Sequence, residues 1–161
     1  PTGECDVCGR MTNRHRVDLA ALQRLWGANY VGLQHLLAPL SSGGSRRFEV
    51  DLPGQGAVSV CVLERGPYTS FIEIQQAAAG AAPGPCFTLR VYHDARMAEV
   101  VAFQGHRYFR PHYDYPNSRM YQPDEKYQVN KLFYEWLQRQ LAALCVWQAA
   151  GEACGALDRQ R

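Results

Sequence analysis

Hydrophobic positions change their period twice along this chain, and each change marks a new kind of element. Leu19, Leu22, Trp26, Tyr30, Leu33 and Leu37 recur every three or four residues, which lays one apolar stripe along a helix. Asp18 stands just ahead of it as an N-cap, and Val17 is placed to staple onto Leu22. Pro39 and the SSGGS run at 41–45 stop this helix. Apolar and polar residues then alternate, predicting strands near 46–52, 57–65, 68–76, 86–93 and 96–103. Pro53-Gly54-Gln55-Gly56 and Gly66-Pro67 supply turns, Asp94-Ala95 a tight hairpin link, and 77–85 (AAAGAAPGP) a small-residue loop. After a stretch without period at 104–122, helical spacing returns in Val129, Leu132, Phe133, Trp136, Leu137, Leu141, Leu144 and Cys145. Pro123 fits the first helical position, with Asp124 and Glu125 in the first turn, where the helix dipole favours acids.

Short links between consecutive strands require antiparallel pairing, because parallel neighbours need a crossover of about a dozen residues. The expected fold class is therefore α+β: an antiparallel meander of about five strands, with an N-terminal and a C-terminal amphipathic helix on one face. Trp26, Tyr30, Leu33, Leu132, Phe133, Trp136 and Leu137 are expected to be buried between the layers. Residues 1–16 read as a flexible arm and 17–150 as a single domain. Gly151 and Gly155 end the second helix, leaving 151–161 as a disordered tail.

A chain of 161 residues with 47% hydrophobic and 20% charged side chains can bury a core without metal or disulfide staples. Its formal net charge of +2 gives no bulk attraction to nucleic acid or to an anionic membrane. No apolar run is long enough to span a bilayer, and the first residues carry no export signal. The expected setting is thus a reducing cytoplasm, with the six cysteines as free thiols unless Cys5 and Cys8 hold a metal. That CxxC pair is half a zinc site, and only His15, Cys154 or a second chain could complete it. No other cofactor is expected: the phosphate-loop, dinucleotide-loop and Gly-x-Ser-x-Gly patterns are all absent.

Side chains fit for chemistry crowd into 91–126. Tyr92, His93, Asp94, Arg96 and Glu99 could supply acid–base groups, although His93 and Asp94, being adjacent, point to opposite faces of a strand. The bland alternative is a hairpin tip in which Asp94 bonds turn amides and Arg96 pairs with Glu99 or a neighbour. Downstream, Arg107, Arg110 and Arg119 interleave with Tyr108, Phe109, Tyr113, Tyr115 and Tyr121, a mixture that can stack bases or clamp phosphate. The alternative there is a loop packing its rings under the sheet edge. Asp124 and Glu125 read as capping residues and Lys126 as a solvated side chain. A ligand site, if present, is expected where Arg96 and Glu99 approach Tyr115 and Asn117, with Tyr92, His93, Arg110 and Arg119 around it.

RVDLAALQ at 16–23, ANY at 28–30, YHDARMAEV at 92–100, YPN at 115–117 and QPDEK at 122–126 occur in order, followed by Asn130 and Trp136. Together they resemble the YqiB-like family of small bacterial proteins, a domain of unknown function, over roughly 16–145. The resemblance implies a small cytoplasmic protein with no agreed activity, cofactor or catalytic residues. Two functions stay open at this level. One is a non-catalytic module that uses the exposed sheet face and the 104–122 loop to hold a protein partner or a small anionic ligand. The other is a small enzyme acting on a nucleotide or phosphoester through His93, Asp94 or Glu99, with RNA binding by the 104–122 loop disfavoured by the charge.

Overall fold

The computed structural model describes residues 18–38, 45–78, 80–107 and 125–158, with side chains described as far as Gly105 and Ala150 in the last two segments. Helix α1 spans Leu19–Leu37, and Asp18 caps it by accepting a hydrogen bond from Ala20 N at 3.0 Å. Six strands follow: β1 Arg47–Leu52, β2 Gly56–Arg65, β3 Thr69–Gln76, β4 Cys86–Tyr92, β5 Met97–Phe103 and the two-residue β6 His106–Arg107. Helix α2 runs from Glu125 to Asp158. The sheet order is the sequence order, β1 to β6, with every neighbouring pair antiparallel.

The alternation in the strands decides which face is buried. Val58, Val60, Ile72, Ile74, Phe87, Leu89, Val91, Ala98 and Val100 all turn to one face and form a single core with residues of both helices. Leu33 and Leu36 come from α1, and Val129, Phe133, Trp136, Leu137 and Leu144 from α2. The two helices therefore share one face of the sheet, as the pattern predicts. They meet closely at Gly32, where a Cβ would lie 2.6 Å from a Leu137 methyl, so no larger residue fits without displacing that side chain.

Three features depart from the sequence reading. Leu132 is 39% exposed, because the buried stripe of α2 passes through Val129, Phe133, Trp136, Leu137, Gln140 and Leu144. Trp26 and Tyr30 are only half-buried. Helix α2 does not end at Gly151 but continues through Gly155 to Asp158. A glycine inside a helix costs only about 1 kcal/mol relative to alanine, and the flanking alanines sustain the helix. The 1–16 arm and the Val17 staple lie outside the described residues.

Buried polar side chains fasten the layers. Asn130 is fully buried, and its Oδ1 accepts the Val100 amide at 3.0 Å on the open edge of β5. Its Nδ2 donates to the Lys126 carbonyl at 2.8 Å, while Asn29 of α1 donates to the Asn130 carbonyl at 3.4 Å. At the other end of the crossing, the Trp136 indole donates to Gln76 Oε1 at 2.7 Å and Gln140 Nε2 to Gln55 Oε1 at 3.4 Å. Helix α2 thus crosses from the β5 edge to the β1–β2 turn.

Replacing Asn130 by Ala strands a buried backbone N–H, a loss of about 1–3 kcal/mol. We expect Asn130→Ala to lower the unfolding midpoint by roughly 2–12 °C at this chain length, read by circular dichroism. An unchanged midpoint contradicts this role.

Candidate functional site

One irregularity of register builds the best-formed site. Along β2 and β3 the pairing runs Val60↔Ile74 and Val62↔Ile72, then skips Leu63 and resumes as Glu64↔Phe71 and Arg65↔Ser70. A strand that kept its alternation from Val62 would turn Arg65 to the uncovered face. The bulge reverses this, because one extra residue exchanges the faces of all that follow. Arg65 therefore shares the helix-covered face with Ser70, its cross-strand partner. Ser70 pairs in turn with Val91, two residues before His93. Gly66 closes the turn, its N–H bonded to the Thr69 carbonyl at 2.8 Å, and a Cβ there would sit 2.7 Å from that oxygen. Arg65, Ser70 and Val91 so form one row across three strands, and His93 reaches it from the turn just past the end of β4.

Ser70, only 3% exposed, lies 2.8 Å from His93 Nε2 through its hydroxyl. The row borders a pocket of about 220 Å³ closed from above by Leu33, Gln34 and Leu37 of the last turns of α1. Ser45 and Phe48 complete one side, and among the described residues no Asp or Glu lines it.

The sequence-predicted candidates divide between the two faces. Tyr92 and Glu99 lie on the opposite side from this pocket, as their pairings Tyr92↔Met97 and Arg90↔Glu99 require. There the guanidinium of Arg90 sits 5.0 Å from the Phe71 ring centre and donates to Tyr92 Oη at 3.3 Å, and Tyr92 donates to Glu99 Oε2 at 3.2 Å. Glu99, 3% exposed, is ion-paired with Lys126, whose ammonium lies 5.1 Å from the Trp26 ring centre. Lys126 is therefore no freely solvated side chain, and Arg96 is not the partner of Glu99. Arg96 is exposed at φ 52°, the left-handed position closing the His93–Arg96 turn.

His93 and Asp94 form no dyad: His93 faces Ser70, and Asp94 Oδ1 accepts from Ala95 N at 2.8 Å within the turn. Arg110, Tyr115, Asn117, Arg119, Asp124, Cys5 and Cys8 lie outside the described residues, so the approach of Arg96 to Asn117 does too. Among the described residues no three metal-binding side chains cluster. On the uncovered face, burial and then the charge of Glu73 push the Cys86 thiol above its ordinary pKa, which keeps it protonated and unreactive.

Arg65 and Ser70 escape a reading of motifs, but a signal for them exists. Val62-Leu63 places two apolar residues side by side in an alternating strand, which is how a bulge shows in sequence.

The family model described as "Protein of unknown function (DUF1249)" matches residues 32–144. The chain belongs to this family. The DUF1249 match starts inside α1 and ends at Leu144, the last core residue of α2, so it takes in the whole sheet and both walls of the pocket. Curated relatives include the uncharacterized protein YqiB of Escherichia coli K12 and that of strain O157:H7. Each is 33% identical over 132 residues, covering 80% of this chain and 92% of the relative. No solved structure matches the chain. Among the described residues, no helix is long and apolar enough to cross a membrane.

The Glu99–Lys126 contact yields a stability expectation. Breaking a fully buried ion pair from one side costs about 3–5 kcal/mol, but the Lys126 side chain is 39% exposed, so water can partly replace it. We expect Lys126→Met to destabilise by about 2 kcal/mol in urea denaturation, with Lys126→Arg recovering most of the loss. A variant as stable as the parent contradicts the pairing.

Proposed function

We propose that this DUF1249 protein is a non-catalytic module that binds a small anion in the pocket between the end of the sheet and the last turns of α1. The observation that carries this reading is the placement of Arg65 by the β2 bulge onto the face of Ser70 and His93, in a lining without carboxylates among the described residues. A guanidinium offers a fixed fork of donors suited to an oxyanion. The end of α1 opposes it with about half a negative charge, less than the full charge of Arg65. Apolar walls with a few convergent polar groups are the usual make-up of a ligand site.

The employment of the other candidates supports a non-catalytic role. Asp94 caps its own turn, Glu99 is held by Lys126 and Tyr92, and neither lines the pocket that His93 borders. The acid–base groups of a phosphoesterase thus do not converge on one point. A second reading draws on the 2.8 Å Ser70–His93 contact, in which His93 would activate Ser70 for acyl transfer. The lack of an acidic side chain against His93 among the described residues weighs against it.

The test is a thermal-shift titration of the full chain with orthophosphate, nucleotides and small carboxylates, beside Arg65→Ala. An anion at 100 times its dissociation constant stabilises by about 2.7 kcal/mol. That corresponds to roughly 5–11 °C at this size. We expect such a shift for at least one anion and its loss in Arg65→Ala. Equal shifts in both proteins, or none with any anion, refute the proposal. Turnover of an activated ester that disappears in Ser70→Ala would replace it with the second reading.

A further inference from the structure

Resting on that reading of the pocket, we infer that its ligand is a small amphipathic monocarboxylate, with its charged end at Arg65, Ser70 and His93 and its hydrocarbon end under α1. Volume sets the first limit. A cavity of about 150 Å³ accommodates benzene. At about 220 Å³ this pocket suits a molecule of roughly nine non-hydrogen atoms by the same proportion. A nucleotide is more than twice that size and would leave most of itself outside.

Polarity sets the second limit. Six of the eleven lining side chains are hydrocarbon: Leu33, Leu37, Phe48, Val62, Ile72 and Val91. Inorganic phosphate would satisfy Arg65 and leave those walls against water, forgoing the gain from burying their apolar surface. A branched or aromatic acid covers both regions at once.

Charge sets the third limit. Among the described residues Arg65 is the only Lys or Arg in the lining, and the helix end facing the pocket is a C-terminus. Phosphate sites in proteins use the opposite end, where free N–H groups and the positive pole converge. A phosphomonoester carries close to two negative charges at neutral pH, and here it would meet one cation and a repelling dipole. A carboxylate carries one charge and matches the guanidinium fork in two parallel hydrogen bonds. The Ser70 hydroxyl and the Gln34 amide, both in the lining, offer donors for a second face of the same group.

The experiment is an amide-resolved NMR titration of the full chain with 4-methylpentanoate, benzoate, 4-methylpentanamide, orthophosphate and adenosine monophosphate. The expected result is movement of the Arg65, Ser70, Val91 and His93 amides by both acids. Their affinity should exceed that of the amide and of orthophosphate by roughly ten-fold or more, as a charge-assisted pair requires. Arg65→Ala should weaken the acids by a similar factor and leave the amide unchanged. If orthophosphate or the nucleotide moves these resonances and the acids do not, this inference falls while the anion-binding reading stands. If the amide binds as well as its acid, charge is not being read and both fall. Both also fall if no compound moves these amides.

Discussion

The structure hangs on the side chain of Asn130. Among the described residues β5 has no full-length neighbour beyond it, since β6 pairs only with Ala102 and Phe103. The Val100 amide therefore projects from an open edge, where a buried donor without a partner would cost about 1–3 kcal/mol. Asn130 meets it from α2, and the same residue's carbonyl receives Asn29 from α1. One asparagine so orders strand, first helix and second helix at a single corner. Gln55, Gln76, Trp136 and Gln140 tie the opposite end of the crossing. Hydrophobic burial supplies most of the driving force for such a fold, but it does not choose among sliding positions of a helix on a sheet. Directional bonds at two points do.

The position of α1 follows from that fastening. Its C-terminal turns come to lie over the end of the sheet where β2 and β4 finish and β3 begins, and the pocket opens beneath them. Regular alternation would turn Glu64 to this place and leave Arg65 on the other side. A single unpaired residue, Leu63, changes its character from core margin to ligand site. The other polar concentration, from Arg90 through Tyr92 and Glu99 to Lys126, is closed on itself by hydrogen bonds, an ion pair and two cation–ring contacts. Its arrangement anchors the first turn of α2 beside β5.

The fold was legible in the sequence because it rests on periodicity, a local signal. Strands expected at 57–65 and 68–76 are found at Gly56–Arg65 and Thr69–Gln76, and Asp18 caps α1 as its side chain predicts. Burial of Leu33, Phe133, Trp136 and Leu137 follows from the same stripes. What the sequence hid depends on partners distant along the chain. Lys126 looks solvated until Glu99, 27 positions earlier, is brought against it. Ser70 looks like a strand hydroxyl until His93 lies 2.8 Å away. Leu132 fits the apolar stripe by count, yet the sheet and α1 leave it on the outer side of α2.

The claim on which the function depends is that Arg65 and Ser70 share a face. Side-chain nuclear Overhauser contacts in the isotope-labelled full chain measure it directly. The account predicts contacts from the Arg65 side chain to the Ser70 β-protons and to the methyl groups of Leu37 and Val91. Contacts from Arg65 to the Phe71 ring and the Cys61 β-protons, with none to Leu37, would place it on the uncovered face and contradict the account.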